Sequence, residues 1–320
     1  MIKLLIMQEQ QNRPLPSDYQ LQDYRIDRVL SGGGFSFVYL ARDKRGNKVA
    51  IKEYLPTLLA TRLDEENVGP SSPDNLAGFR HGLKCFFEEG RALAKIEHEN
   101  VVRVVNFFRA NNTVYMVMQY ERGKSLQDYI RSHAEPAKEL FVRRLFNELL
   151  TGLREVHTHK LLHLDIKPAN IHIRLNGSPV LLDFGSVRQT LTEVQPQLSP
   201  SYTPGFAPPE QYFDRKLLGP WSDIYSVGAS MYACLVRAAP LAADLRSKKD
   251  TLVPALETGQ DIYSPRLLEI IDWCMQLDPL KRPQSVFALQ KALREHLTDE
   301  SKKTSLFDSI RKKLSEIGSA

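Results

Sequence analysis

The sequence predicts an α+β fold in two parts, a small antiparallel sheet with one main helix followed by a mostly helical region. Residues 24–53 have the pattern of strands joined by a glycine-rich loop and a charged turn. Apolar residues recur at helical spacing in 81–98. From residue 126 onward helical spacing dominates, most clearly in 140–159.

The composition is that of an ordinary globular protein. Of the 320 residues, 42% are apolar and 25% are charged, and the net charge is +5. This length suffices for one two-lobed domain or for two ordinary domains. Lysines and arginines are scattered rather than gathered in a stripe. We therefore favour a solvated surface over attraction to phosphates or acidic partners, and we expect no nucleic-acid binding.

Cysteine placement and hydropathy favour a cytoplasmic protein. Cys85, Cys234 and Cys274 lie far apart and form no C-x-x-C pair, so we expect small core residues rather than a disulfide framework or a zinc site. No apolar run reaches the length of a membrane span, and the apolar patch at 4–6 is too short for the core of a signal peptide. Residues 1–20 show no pattern of a folded element, so translation from Met7 is as plausible as from Met1.

The first strands enclose a glycine-rich loop at 31–36, with the sequence SGGGFS. Consecutive glycines allow backbone N–H groups to approach a triphosphate closely, although such a loop alone is more often a flexible turn. The strand at 49–52 follows, and its alternation places Ala50 and Lys52 on one face. A lysine on an inward face needs an anionic partner.

The predicted helix at 81–98 carries a carboxylate within its apolar stripe. The stripe consists of Phe86, Leu93 and Ile96. At 100° per residue Glu89 falls within the stripe, whereas Glu88 points away from its centre. Nearly thirty residues, 53–80, separate this helix from the preceding strand, which is long for a simple connection and indicates an insertion. A short helix is expected within it, over Thr57–Arg62.

Residues 163–170, with the sequence HLDIKPAN, are the most informative part of the chain. They precede a predicted hairpin at 171–182, which alternates apolar and polar residues and contains an Asn-Gly turn. Closing the hairpin places Asn170 opposite Asp183. An amide oxygen beside a carboxylate is a hard-oxygen Mg²⁺ site that phosphates and water would complete. Each of these residues alone is more often a turn or capping residue.

Together with the D-F-G tripeptide at 183–185, these motifs resemble the eukaryotic-type (Hanks-type) protein serine/threonine kinases, in their bacterial form. The resemblance covers 24–297. It implies a two-lobed, protein-kinase-like fold with an N-lobe at 24–121 and a C-lobe at 122–297. A 1–23 extension then precedes the domain, and a basic amphipathic tail at 298–320 follows it.

The resemblance also implies catalytic roles. Asp165 accepts or orients the proton of the substrate hydroxyl, and Lys167 neutralises charge on the transferring phosphoryl group. Asn170 and Asp183 hold Mg²⁺. Lys52 positions the α- and β-phosphates of ATP and pairs with a glutamate of the next helix. Glu89 is the candidate for that glutamate, because a carboxylate on an apolar face is costly unless it is paired; the alternative is a local cap or pair.

The nucleotide site implied by the resemblance uses the glycine-rich loop and the strand at 115–121. Only the middle position of the G-x-G-x-x-G pattern, Gly33, remains glycine, and Ser31 and Ser36 occupy the outer two. Met118 then lies at the back of the adenine pocket, and backbone groups of Gln119 and Glu121 contact the adenine edge. The full ATP-binding set is Leu30, Ser31, Gly32, Gly33, Gly34, Phe35, Ser36, Val38, Ala50, Lys52, Met118, Gln119 and Glu121.

The substrate class follows from motifs further along the chain. Residues 203–210 resemble the substrate-binding P+1 loop and A-P-E motif, with Pro208 in place of alanine. Asp223 would hold the catalytic loop, the name used here for residues 163–170, from a buried helix, and Arg282 would pair with Glu210. Small-molecule kinases generally lack these parts. We therefore favour an active protein kinase over a small-molecule phosphotransferase. The resemblance implies that it phosphorylates serine and threonine hydroxyls of protein substrates and of itself. A pseudokinase scaffold is the main alternative, although it usually lacks at least one catalytic residue.

Two features bear on regulation. Leu164 stands where most family members have the arginine that binds a phosphorylated activation loop, so we expect activity to depend little on loop phosphorylation. The candidate autophosphorylation sites are Thr190, Thr192, Ser199, Ser201 and Thr203. The tail at 298–320 has apolar residues at helical spacing and could dock on this domain, a partner or a membrane surface, although a loosely packed terminal helix is favoured.

Overall fold

The computed structural model describes residues 12–184, 188–189 and 202–294. These residues divide into two compact units, the first ending at Arg122 and the second beginning at Gly123. The predicted tail at 298–320 and the hydroxyl residues at 190–201 lie outside the described residues, and the predicted domain limits stay predictions. Within the described residues, helices that combine the length and the apolarity needed to cross a membrane are absent.

The first unit is a curved antiparallel sheet with one long helix, as predicted. Its elements in chain order are β1 (Gln20–Leu21), β2 (Tyr24–Gly32), β3 (Ser36–Arg42), β4 (Lys48–Tyr54), β5 (Ala60–Arg62), β6 (Val68–Pro70), α1 (Leu76–Leu93), β7 (Val104–Ala110) and β8 (Thr113–Gln119). The main sheet has the order β1-β2-β3-β4-β8-β7, and β5 pairs with β6 in a separate hairpin.

One face of the main sheet is covered by a segment in which no folded element was predicted. Leu15 and Leu21 are almost fully buried among Ile26, Tyr39 and other core side chains of the sheet, and β1 already begins at Gln20. The expectation that residues 1–20 hold no folded element is therefore wrong at Gln20, while residues 12–19 form no helix or strand although Leu15 packs in the core. Isolated leucines in a short polar segment show no periodicity, so their burial could not be predicted from the sequence pattern.

The insertion at 53–80 also differs from its prediction. Residues 57–59 form a turn, and Ala60–Arg62 is the strand β5, so the short helix expected over Thr57–Arg62 is wrong. The N–H groups of Leu59 and Ala60 both donate to the Pro56 carbonyl, and the chain then pairs with β6 instead of continuing the helical turn. The main helix begins at Leu76 rather than at 81, after a 3₁₀ turn that Pro73 starts.

The cysteine predictions are confirmed for two of three residues. Cys234 and Cys274 are buried in the second unit, where burial raises the pKa of Cys234 to about 12. Cys85 is exposed on α1, so its predicted core position is wrong. It follows Lys84 and precedes the buried Phe86, and the turn of 100° between neighbours places it off the buried face.

The second unit is mostly helical, as predicted. Its elements in chain order are β9 (Gly123–Ser125), α2 (Leu126–Ser132), α3 (Glu139–Thr158), β10 (Leu161–Leu162), β11 (Ile171–Arg174), β12 (Pro179–Leu181), β13 (Arg188–Gln189), α4 (Pro209–Phe213), α5 (Pro220–Val236), α6 (Ala243–Lys248), α7 (Ala255–Thr258), α8 (Pro265–Cys274) and α9 (286–294). Helix α5 is buried from Ser222 to Leu235 and forms the centre of the unit.

The predicted hairpin after the catalytic loop is confirmed. Strand β11 pairs antiparallel with β12, with Ile171 opposite Leu181. Gly177 has a φ of +87°, a left-handed value that glycine adopts readily, and its N–H donates to the Arg174 carbonyl to close the turn. The hairpin therefore returns the chain to the end of the catalytic loop.

Candidate active site

Lys52 lies on the face of the first sheet that packs against α1. Its side chain is nearly buried, and its ammonium lies 5.7 Å from the centre of the Phe86 ring. Glu89 follows Phe86 by three residues on α1 and so shares that face of the helix, with its Oε1 atom fully buried. A buried ammonium and a buried carboxylate on facing elements are consistent with the predicted pair, which stays a prediction.

The glycine-rich loop forms the tight connection between β2 and β3. The N–H of Gly33 donates to the Ser36 carbonyl at 3.1 Å. A Cβ atom at Gly32 would lie 2.7 Å from the Phe37 ring, whereas Cβ atoms at Gly33 and Gly34 would meet open space. A larger residue at Gly32 would therefore have to displace the Phe37 ring, while the next two glycines leave the loop surface open.

The strand predicted to contact adenine is the buried strand β8. Met118 is nearly buried and pairs with Ala50 across β4 and β8, which places two predicted nucleotide-binding residues side by side. The N–H of Gln119 donates to the Arg103 carbonyl at 2.9 Å. The N–H of Gln119 is therefore used within the protein, and the predicted contact of Gln119 with adenine stays a prediction.

The catalytic loop gathers three side chains around the Asp165 carboxylate. The Lys167 ammonium donates to both carboxylate oxygens, at 3.0 and 2.9 Å. The Thr203 hydroxyl donates to Oδ1 at 2.9 Å, and the Asn170 amide donates to Oδ2 at 3.0 Å. Lys167 also contacts Thr203 Oγ1 at 2.7 Å. The position of the carboxylate is therefore set by residues of the loop and by the first residue of the predicted P+1 motif.

The predicted metal-binding residues lie at one end of the hairpin. The N–H of Leu182 donates to the Asn170 carbonyl at 2.9 Å, which holds Asn170 beside the residue that precedes Asp183. Groups of three or more metal-binding side chains of the His, Cys, Asp or Glu type are absent from the described part of the chain. Mg²⁺ is usually held by few protein ligands together with phosphates and water, and the assignment of Asn170 and Asp183 to it stays a prediction.

Asp223 anchors the catalytic loop through hydrogen bonds to its backbone, as predicted from the sequence. This fully buried carboxylate on α5 accepts the N–H groups of His163 and Leu164 at 2.9 and 2.8 Å. It also lies 2.8 Å from Nε2 of His157 on α3. Burial acts to raise the pKa of Asp223, but the hydrogen bonds and electrostatic interactions with His157 and His163 together outweigh burial, and the pKa is lowered. His157 was not predicted, because a single histidine near the end of a core helix gives no pattern.

His163 is fully buried as a neutral side chain. Desolvation lowers its pKa below the ordinary value of 6.5, against the opposing charge of Asp223. Its Nε2 lies 3.0 Å from the Leu182 carbonyl, which can only accept, and its Nδ1 accepts the N–H of Asp165 at 3.3 Å. The ring therefore carries its proton on Nε2 and connects the catalytic loop to the residue before Asp183.

Leu164 has a left-handed backbone, with a φ of +60°. This conformation is uncommon for a bulky residue and persists where surrounding contacts hold it. Its N–H donates to Asp223, and its carbonyl accepts the amide of Gln211 at 2.8 Å. Its side chain is buried and shares a small apolar void with Phe206 and Ala207. Gln211 was not predicted and is a further residue that positions the catalytic loop.

The predicted pair of Glu210 and Arg282 is confirmed. Two hydrogen bonds of 2.7 and 3.0 Å join the guanidinium to the carboxylate. Ser222 donates to the same carboxylate at 2.7 Å. The guanidinium also donates to the backbone carbonyls of Trp221, Gln276 and Leu277. The pair connects the end of the segment at 203–210 to the region that follows α8.

Comparisons with known proteins agree with this geometry. A family model described as the protein kinase domain matches residues 24–295. Serine/threonine-protein kinase D of Synechocystis is 25% identical over 300 residues, covering 91% of this chain and 55% of the relative. Serine/threonine-protein kinase C of the same organism is 28% identical over 292 residues, covering 86% and 50%. The chain thus spans about half the length of these curated relatives.

A solved structure extends the comparison to the fold. The apo form of PpkA-294 superposes with a TM-score of 0.77 and is 34% identical in sequence. The match covers 88% of this chain and 99% of the other. The two-lobed α+β architecture predicted from the sequence is therefore confirmed.

Proposed function

This chain belongs to the protein kinase family, and we propose that it is an active serine/threonine kinase that uses ATP and Mg²⁺ to phosphorylate proteins, including itself. The observation that carries the proposal is the set of contacts on Asp165. A carboxylate has about four lone-pair positions, and Lys167, Thr203 and Asn170 occupy them.

The arrangement indicates how a substrate hydroxyl would enter. An incoming hydroxyl has to replace one contact on Asp165, and the contact of Lys167 is the one that can be given up, because its ammonium donates to both oxygens. Lys167 then turns its freed N–H toward the transferring phosphoryl group. Thr203 and Asn170 keep the carboxylate oriented during this exchange.

In the proposed reaction the serine or threonine oxygen forms a bond to the γ-phosphorus of ATP. The bond between that phosphorus and the β–γ bridging oxygen breaks, ADP leaves, and the hydroxyl proton passes to Asp165. Catalysis in this chemistry is mostly positioning and charge stabilisation. Lys52, held near α1, would position the α- and β-phosphates, and Glu89 would position Lys52.

Asn170 and Asp183 are the residues that would hold Mg²⁺. When bound, the ion supplies charge neutralisation on the β- and γ-phosphates. The backbone hydrogen bond from Leu182 to Asn170 places both residues at one end of the hairpin, which supports this assignment. The buried Glu210–Arg282 pair supports protein rather than small-molecule substrates, because it anchors the end of the 203–210 segment, which resembles the substrate-binding loop of protein kinases.

The test uses the full chain with Mg²⁺, labelled ATP and a generic protein substrate. We expect label on serine and threonine of the substrate and of the chain itself, and loss of label when the metal is chelated. Asp165→Asn should reduce transfer at least about 100-fold, since general-base catalysis contributes about that much. Asp261→Asn, at an exposed position of the same unit, is the matched control and should retain transfer. ATP binding without transfer by the wild type would indicate the pseudokinase instead.

A further inference from the structure

The tip of the glycine-rich loop is held by backbone donors from the segment that follows β4. The N–H of Thr57 donates to the Gly34 carbonyl at 2.8 Å, and the N–H of Leu55 donates to the Phe35 carbonyl at 3.1 Å. These bonds continue the pairing of β3 with β4 beyond Ser36. The conformation of the loop therefore depends on where the connector, defined here as residues 54–61, is placed.

The connector is enclosed between two oppositely charged residues. Glu53 precedes it and Arg62 follows it, and their side chains meet at 2.7 Å with exposures of 0% and 4%. Because the ion pair joins the two ends of the connector, it fixes the loop of chain between them. Leu55 is fully buried within that loop.

Two tyrosines of the sheet complete the surroundings of the Glu53 carboxylate. The Tyr39 hydroxyl donates at 2.6 Å and the Tyr115 hydroxyl at 2.7 Å. Burial, followed by the charge of Glu53, raises the pKa of both tyrosines far above the ordinary value of 10, so both remain donors. Both carboxylate oxygens thus accept hydrogen bonds, two on Oε2 and one on Oε1, as a buried charge requires.

Residues 12–15, which we name the N-terminal clasp, close this arrangement from outside. The Asn12 amide donates to the Ala60 carbonyl at 3.0 Å, and its oxygen accepts the N–H of Arg62 at 3.1 Å. The Arg13 carbonyl accepts Nε of Arg62 at 2.8 Å. The N–H of Leu15 donates to the Tyr39 hydroxyl at 3.0 Å. The clasp therefore contacts both the far end of the connector and a tyrosine that binds Glu53.

We propose that the N-terminal clasp is a positioning element for ATP: by fixing Arg62 against Glu53 it holds the connector, and the connector holds the tip of the phosphate-binding loop. The inference rests on the proposed function, because it takes the loop at 31–36 to bind the triphosphate. It adds residues outside the predicted nucleotide site, namely Asn12, Glu53 and Arg62. A loop held in advance pays less ordering cost when the nucleotide binds.

The first measurement is hydrogen exchange on the full chain without nucleotide. Asn12→Ala removes two contacts of the clasp at a partly buried position and should leave the fold intact. Arg62→Lys keeps the charge opposite Glu53 but loses the fork that reaches the clasp. In both variants we expect the amides of Leu55 and Thr57 to exchange about fivefold faster or more, the factor that corresponds to one ordinary hydrogen bond. Glu65→Gln, at an exposed position of the hairpin formed by β5 and β6, is the control, and its amides of Leu55 and Thr57 should exchange at the rate of the wild type.

The second measurement is the Kd of a fluorescent ATP analogue, together with the KM of the protein substrate. We expect the Kd to rise about threefold to tenfold in Asn12→Ala and Arg62→Lys, a modest loss of preorganisation, with the KM of the protein substrate unchanged. Unchanged exchange at Leu55 and Thr57, or faster exchange with an unchanged Kd, would overturn the inference. A wild type that binds the analogue but transfers no phosphate would overturn the proposed activity alone, and one that binds no analogue would overturn both.

Discussion

Arg282 and Glu210 form a bidentate ion pair, and their side chains are 0% and 1% exposed. Each charge is removed from water and satisfied by the other, with Ser222 and three backbone carbonyls taking the remaining hydrogen bonds. Such a pair stabilises little compared with apolar residues, yet losing one partner leaves an uncompensated buried charge. Its removal should therefore be costly for the second unit.

We expect Arg282→Met to lower the free energy of unfolding by about 3–5 kcal/mol, because Glu210 stays buried without its partner. Urea denaturation followed by circular dichroism measures the change. Arg103→Met is the matched control: Arg103 pairs with Glu97 on the surface, with side-chain exposures of 62% and 76%. A cost of about 1 kcal/mol or less is expected there, and equal costs for the two variants would contradict the argument.

The hydroxyl of Thr203 should matter for phosphate transfer rather than for folding. It contacts both Asp165 and Lys167, so its loss frees the carboxylate to move. We expect Thr203→Val to lower kcat by about tenfold or more, since small misplacements of catalytic groups cost that much. Thr203→Ser retains the hydroxyl and should stay close to wild type. Steady-state kinetics at saturating ATP measure kcat for both variants. Wild-type activity in the valine variant would show that the Thr203 hydroxyl is not needed for phosphate transfer.

Activity should not require phosphorylation of the activation loop. Leu164 offers no positive charge to a phosphate, and the catalytic loop is instead held to the segment at 206–211 by the hydrogen bond from the Gln211 amide to the Leu164 carbonyl. A variant with alanine at Thr190, Thr192, Ser199 and Ser201 should retain activity within about a factor of three, because the charge partner of loop phosphorylation is missing. A folded but inactive variant, judged by circular dichroism and label transfer, would show that the prediction is wrong.

Stability should fall in mild acid because of His163. The folded state keeps this residue neutral, whereas the unfolded chain binds a proton below a pH of about 6.5, so acid favours unfolding. We expect the free energy of unfolding to be level above pH ~7 and to decline below ~6.5 by up to about 1.4 kcal/mol per pH unit from this residue. Urea denaturation between pH ~5 and ~7.5 measures the slope.

His163→Gln should reduce that slope, because glutamine keeps a donor for the Leu182 carbonyl without titrating. His133→Gln, at an exposed position, is the control and should keep the slope of the wild type. If the His163 variant loses stability with falling pH as steeply as the wild type, other groups cause the dependence.

The parts that could be predicted from the sequence are those with a strong local signal. The hairpin after the catalytic loop follows from alternation and an Asn-Gly turn, and α3 follows from leucines at helical spacing. Glu210 and Arg282 could be paired only through the order of motifs that the family resemblance supplied, since 72 residues separate them. Spacing alone gives no such information.

The parts that could not be predicted depend on distant contacts. Leu15 lies in a polar segment, and its burial depends on the sheet that it covers. Residues 57–62 do not form the expected helix because β5 pairs with β6. Both strands are short and have weak sequence patterns, so their pairing could not be predicted. Glu53 resembles a surface residue in sequence, and only its three partners from β3, β5 and β8 make its burial favourable.

Strand β4 carries opposite charges on adjacent residues, Lys52 and Glu53, which point to opposite faces of the sheet, and both are buried. A slip of one residue in its pairing would turn both side chains to the opposite faces of the sheet. In one direction the slip would put the Glu53 carboxylate beside the Phe86 ring, and in the other it would put the Lys52 ammonium beside Arg62. A one-residue slip is therefore costly in either direction, which helps to fix the register of the strand that carries the predicted phosphate-binding lysine.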